Sequence, residues 1–114
     1  ENGVVEDLGQ FEAYTLNSKY TAREAFEALL SYLEMHAISS RALQTKLMIK
    51  PGYTMKTVEG MVTNFHQPGS TLLMLISSGV GEDWRKIYDH ALANGYRFLS
   101  YGDSSLLYFQ NNKF

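Results

Sequence analysis

The chain contains no cysteine among its 114 residues, which excludes disulfides, thiolate catalysis and cysteine-held zinc. It has no basic excess either. Ten Lys and Arg against twelve Asp and Glu give a formal net charge of −2. A free-standing nucleic-acid binder carries its own positive surface, so phosphate contacts to any RNA partner would fall to other parts of a larger protein. Three histidines, His36, His66 and His90, lie far apart, and no pair has the spacing of a helical metal site; no metal ligand is assigned. The longest apolar run is far too short to span a membrane. The first ten residues, ENGVVEDLGQ, lack the basic and apolar parts of a secretory signal. A soluble cytoplasmic protein with no membrane partner is the resulting expectation.

Apolar residues make up 45% of the chain and charged residues 19%, enough for a packed core and against disorder through the middle. The length suits one small domain or a piece of a larger one. Residues 1–20 show no sustained periodicity and read as a loosely structured lead-in, with short extended pieces around Val4-Val5 and Phe11–Leu16. Residues 21–109 carry the α/β core and 110–114 a polar tail.

Thr21-Ala22-Arg23-Glu24 has the form of a capping box. Phe26, Leu29, Leu30 and Leu33 then recur at i, i+3, i+4 and i+7, predicting a helix over about 22–36. Lys46–Ile49 reads as a strand stopped by Pro51-Gly52, and Thr57–Phe65 as a second strand weakened at Gly60. Ser70 caps a helix over about 71–78 that is apolar on nearly every side and is expected to be buried. After Gly79-Val80-Gly81, a helix over about 82–94 presents Trp84, Ile87, Tyr88, Ala91 and Leu92 on one face and ends at Asn94-Gly95. Tyr96–Tyr101 reads as a strand, Gly102-Asp103 as a turn, and Ser104–Phe109 as a short helix or strand. This order predicts a small layered α/β fragment, a mainly parallel sheet flanked by helices, within a larger α/β domain.

Two strand-to-loop transitions share one design. If the strands ending at Phe65 and Tyr101 run parallel, both loops emerge at the carboxyl edge of the sheet, where open α/β sheets bind ligands. His66 is then able to move a proton near neutral pH, and Asp103 to accept one, orient the imidazole or bind ribose hydroxyls. Asn64, Ser70, Thr71 and the first amides of the 71–78 helix offer uncharged donors, and Gly69 and Gly102 allow close backbone approach. Arg97 suits a phosphate or carboxylate as well as it suits a salt bridge. Tyr96, Phe98 and Tyr101 suit a buried strand or a base-stacking surface. All of these polar residues also serve ordinary turns and caps, and local pattern leaves both readings open.

The stretches Pro51-Gly52-Tyr53, Thr63-Asn64-Phe65-His66-Gln67-Pro68, Ser70-Thr71-Leu72-Leu73-Met74-Leu75 and Tyr96–Asp103 resemble, in order and spacing, the end of the S-adenosylmethionine:tRNA ribosyltransferase-isomerase family of queuosine biosynthesis. The resemblance covers about residues 45–108. It implies a carboxyl-terminal portion of an enzyme that moves the ribosyl part of S-adenosylmethionine onto 7-aminomethyl-7-deazaguanine in tRNA, giving epoxyqueuosine and releasing adenine and methionine. S-adenosylmethionine is then a consumed co-substrate, no resident cofactor or metal is implied, and the rest of the longer enzyme is a partner. On this basis His66 and Asp103 are the catalytic candidates, with Asn64, Ser70, Thr71, Arg97, Tyr101 and Gly102 contacting substrate. Two departures stand out: Gly69 occupies a position where the family commonly has lysine, and 77–81 reads SSGVG where many members carry a bulkier residue. Rival readings are a non-catalytic RNA-binding module built on Tyr96–Tyr101, and a structural α/β cap with no site residues.

Overall fold

The computed structural model describes residues 8–16 and 19–109. Two compact units emerge, Glu1–Met48 and Ile49–Phe114. The expected extended piece at Val4-Val5 and the tail lie outside the described residues.

In the first unit, α1 (Glu12–Thr15) is a single helical turn where an extended piece was expected. The Leu16 amide closes it on the Glu12 carbonyl at 3.0 Å, so local bonding wins over the β-tolerant side chains. Helix α2 (Ala22–Met35) starts as predicted. The Glu24 amide donates to Thr21 Oγ1 at 3.2 Å and the Thr21 amide to Glu24 Oε2 at 2.7 Å, a closed capping box. Its apolar stripe is largely exposed, however: no residue of α2 is fully buried, Phe26 and Leu30 are exposed, and Leu33 is partly buried. The strand predicted from Lys46 is not formed. Leu8 and Thr45 make one isolated parallel bridge, and the Lys46 and Met48 amides donate to Leu8 and Gln10 carbonyls at 3.0 and 2.9 Å.

The second unit runs β1 (Gly60–Asn64), α3 (Thr71–Val80), α4 (Asp83–Ala93) and β2 (Ser104–Tyr108). Its sheet corrects the expectation of a mainly parallel arrangement. The two strands pair antiparallel, with Gly60 opposite Tyr108 and Asn64 opposite Ser104. The predicted strand at Tyr96–Tyr101 is instead a folded loop in which Leu99 adopts φ +70, a conformation no strand contains. Phe98 is partly buried and Tyr96 stays exposed, yet both ring centroids lie 5.6 Å from that of Phe65, so their alternation with Arg97 reflects loop packing, not a pleat. The strand proper begins at Ser104, one of the two forms expected for that stretch. Gly60 also has a reason: a Cβ there would collide with the Leu107 carbonyl of the partner strand.

The core is formed by Phe65, Ile76, Val80, Tyr88, Ala91 and Leu107, flanked by Met61, Leu73, Trp84, Ile87, Phe98 and Phe109. α3 is less enclosed than its composition implied. Ile76, Gly79 and Val80 are buried, while Leu72 and Met74 face outward. Close packing against Phe109 requires Gly79, since a Cβ there would overlap the Phe109 ring. In α4 the predicted face holds for Tyr88 and Ala91, but Leu92 is exposed. The far side of the sheet bears Val62, Leu106 and Tyr108, all exposed, with Val62 directly opposite Leu106.

Candidate active site

The loops after β1 and before β2 meet, as the sequence reading required, although for a different reason. With antiparallel strands, the carboxyl end of β1 lies beside the amino end of β2. The Asn64 side chain bridges the two loops: Nδ2 donates to the Leu99 carbonyl at 3.2 Å, and Oδ1 accepts from Ser104 Oγ at 2.9 Å. The Leu99 amide donates to the Phe65 carbonyl at 2.9 Å, and the Leu99 carbonyl accepts from the Gly102 amide at 2.8 Å. Left-handed backbone at a leucine costs about 1–2 kcal/mol. These bonds, together with that from Asn64, hold it in place. An apolar cleft of ≈ 490 Å³, lined by Phe65, Ile87, Tyr96 and Leu107 with Ser104 and His90 among its polar groups, adjoins this clamp.

His66 is partly buried and fixed at two points. Its backbone amide donates to the Tyr88 hydroxyl at 3.0 Å, and its Nε2 lies 2.9 Å from Thr63 Oγ1. Sequence reasoning placed Tyr88 in the core, which is right: its ring meets Phe65, Trp84 and Phe98 edge-on. It missed the hydroxyl, which anchors the histidine loop to α4. Burial pushes the Tyr88 phenol up, and the hydrogen bond from the His66 amide opposes this. Thr63, read as a strand former and as part of the motif Thr63–Pro68, had likewise been given no partner.

Asp103 belongs to the second loop and serves Arg97. Its Oδ2 accepts from the Arg97 amide at 2.7 Å, its Oδ1 from the Arg97 guanidinium at 3.3 Å, and its own amide donates to the Arg97 carbonyl at 2.9 Å. The backbone hydrogen bond first, then the guanidinium, holds the Asp103 carboxyl below the usual carboxylate range. Among the described residues no hydrogen bond joins Asp103 to His66. Gly102 sits where a Cβ would collide with the Arg97 and Phe98 backbone, so the loop closes only with glycine there. The result is a stiff loop that carries Tyr101 almost wholly in solvent, at 97% exposure, beside an exposed Arg97.

Downstream of His66 the chain turns into the start of α3. Ser70 caps the helix, its Oγ accepting from the Leu72 amide at 3.2 Å, and Thr71 is the exposed first helical residue. The Ser70 amide donates to the Gln67 carbonyl at 3.2 Å, closing a four-residue turn. Pro68 and Gly69 occupy its centre, with Gly69 at φ +81, the arrangement of a type II turn. Gly69 therefore fits the turn better than a lysine would. A lysine side chain would find open space, but its backbone would be strained.

The arrangement combines a positioned imidazole, a capped helix start, a stiff loop with an exposed ring and guanidinium, and no metal-holding cluster among the described residues. Such groups can move a proton and recognise hydroxyl, carboxylate or planar groups. Residues 20–107 match the queuosine biosynthesis protein family, and the chain belongs to that family. The S-adenosylmethionine:tRNA ribosyltransferase-isomerase of Novosphingobium aromaticivorans is 56% identical over 64 residues, 55% of this chain and 19% of that protein. The enzyme of the same name from Herminiimonas arsenicoxydans is 46% identical over 84 residues, 73% of this chain and 25% of that protein. The crystal structure of S-adenosylmethionine tRNA ribosyltransferase from Thermotoga maritima is similar with TM-score 0.54 and 38% identity, over 70% of this chain and 30% of that one. The chain thus spans about a fifth to a quarter of the length of these curated relatives. No helix among the described residues is long and apolar enough to cross a membrane.

Proposed function

We propose that this chain is the carboxyl-terminal part of a transferase that moves the ribosyl group of S-adenosylmethionine onto 7-aminomethyl-7-deazaguanine in tRNA, with adenine and methionine leaving. Family membership over residues 20–107 carries the reading. The convergence of the 64–71 and 97–104 loops supports their part in the site. His66 is the proton-transfer group: it takes a proton from the ribose carbon beside the sulfonium, whose positive sulfur stabilises the carbanion left behind. Asn64, Ser70 and Thr71 orient ribose hydroxyls or the methionine carboxylate. Asp103 acts through Arg97 and Gly102, holding the loop that brings Arg97 and Tyr101 to the substrate. S-adenosylmethionine is consumed, and neither metal nor resident cofactor is required. The site is open on this chain, with Arg97, Tyr101 and Thr71 exposed, so walls that exclude water come from the rest of the longer polypeptide.

The test uses a family polypeptide of full length carrying this stretch, assayed for adenine release. His66→Ala should lower turnover by about 10²-fold or more while leaving the thermal unfolding transition in place. Turnover within a few-fold of the unsubstituted enzyme would sink the assignment. The 114-residue chain alone should release no adenine.

A further inference from the structure

We infer that Thr63 selects the tautomer of His66, leaving Nδ1 as the nitrogen that exchanges a proton with substrate. Thr63 Oγ1 has two close partners, His66 Nε2 at 2.9 Å and the Asn64 carbonyl oxygen at 3.3 Å. A carbonyl oxygen only accepts, so the single hydroxyl proton goes to Asn64. The hydroxyl oxygen is then left to accept, and Nε2 must carry the ring hydrogen. This is the one arrangement that satisfies both contacts together. Nδ1 consequently holds the free lone pair, and among the described residues no hydrogen bond reaches it.

Thr63 is well placed for this task. It lies in β1 opposite Ser105, whose Oγ donates to the Thr63 carbonyl at 3.2 Å, so its backbone is held by the ladder and by a side chain. A β-branched residue in a strand is stiff at χ1, and its hydroxyl stays aimed. The histidine is held independently through its amide by Tyr88. Ring and backbone are therefore fixed from opposite elements, β1 and α4. This is a positioning role for Thr63, and it rests on the reading of His66 as the proton-transfer group.

Two-bond proton–nitrogen correlation spectra of the 114-residue chain, recorded where the imidazoles are neutral, read the tautomer directly, with His36 and His90 as internal comparisons. His66 should favour the Nε2–H form over the mixture of free histidine by about 2- to 10-fold, the net worth of one hydrogen bond. Thr63→Val should return the ratio to that of free histidine, and Thr63→Ser should restore the bias. A His66 ratio equal to free histidine, a majority of the Nδ1–H form, or a bias that survives Thr63→Val would overturn the inference. The spectrum of the unsubstituted chain decides the matter even if a variant unfolds. Failure of the catalytic reading looks different: the tautomer bias persists, yet His66→Ala in the full-length enzyme still turns over.

Discussion

Removing the Asn64 side chain should loosen both loops at once, and the geometry sets how much. Asn64→Ala deletes two hydrogen bonds, Nδ2 to the Leu99 carbonyl and Oδ1 from Ser104 Oγ. Each such bond contributes about 0.5–1.5 kcal/mol net. Both are reachable by water, which replaces part of what is lost, so the cost should fall in the lower half of the sum, about 1–2 kcal/mol. Ser104→Ala deletes only one bond and should cost about 0.5–1 kcal/mol. The informative quantity is the double-mutant cycle. In the Asn64→Ala background the Ser104 hydroxyl has already lost its partner, so Ser104→Ala should cost almost nothing further, and the coupling should equal its cost alone. The chain has one tryptophan, Trp84, packed beside the core of this unit, so urea unfolding followed by its fluorescence reports on the right region. Midpoints should shift with an unchanged denaturant slope. Equal costs for Ser104→Ala in both backgrounds would refute the clamp, as would an Asn64→Ala variant as stable as its parent.

Two further outcomes follow from the packing and the electrostatics. Gly79→Ala drives a methyl into the Phe109 ring and should destabilise this unit by about 1–3 kcal/mol, seen as a lower urea midpoint; an unchanged midpoint would mean that Phe109 does not pack there. Asp103 is held below the usual carboxylate range by the Arg97 amide and guanidinium, so its stabilising effect is fully present above about pH 4, the unfolded value. That effect should disappear as pH falls through the still lower folded value, and Arg97 and Asp103 amide resonances should move together in an acid titration. Asp103→Asn should abolish that shared movement.

What the sequence disclosed depended on how local each cause was. The Thr21–Glu24 capping box, the Ser70 cap and the Asn94-Gly95 stop are written within four residues of the elements they end, and each was readable. The strand pairing was not, because direction depends on where the chain turns after α4. Tyr96-Arg97-Phe98 alternates as a strand would, yet the chain turns at Leu99. The Leu99 amide donates to the Phe65 carbonyl and its carbonyl accepts from Asn64, over thirty residues away, in addition to the local bonds that close the loop. For the same reason the candidate site was half legible. His66, Asn64 and Asp103 were visible as residue types in suspicious loops. Their true partners, Thr63 and Tyr88 for His66, Ser104 for Asn64 and Arg97 for Asp103, came only from the fold. The juxtaposition of the two loops was right although the parallel topology invoked for it was wrong, since two strands of either sense can bring a pair of loops to one end.

The two-stranded ribbon itself has a consequence for how this region opens. An isolated pair of strands ordinarily frays from its ends and survives only with support. Here each end is closed by bonds at or past the last paired residues. At one end the Phe109 amide donates to the Glu59 carbonyl at 2.8 Å. At the other, the Asn64–Ser104 side-chain rung and the Leu99–Phe65 bond continue the stitching into the loops. A ribbon sealed at both ends has no place to begin unzipping. Its amides should therefore exchange with solvent in a single cooperative step, and the loops around His66 should keep their shape until the whole ribbon lets go.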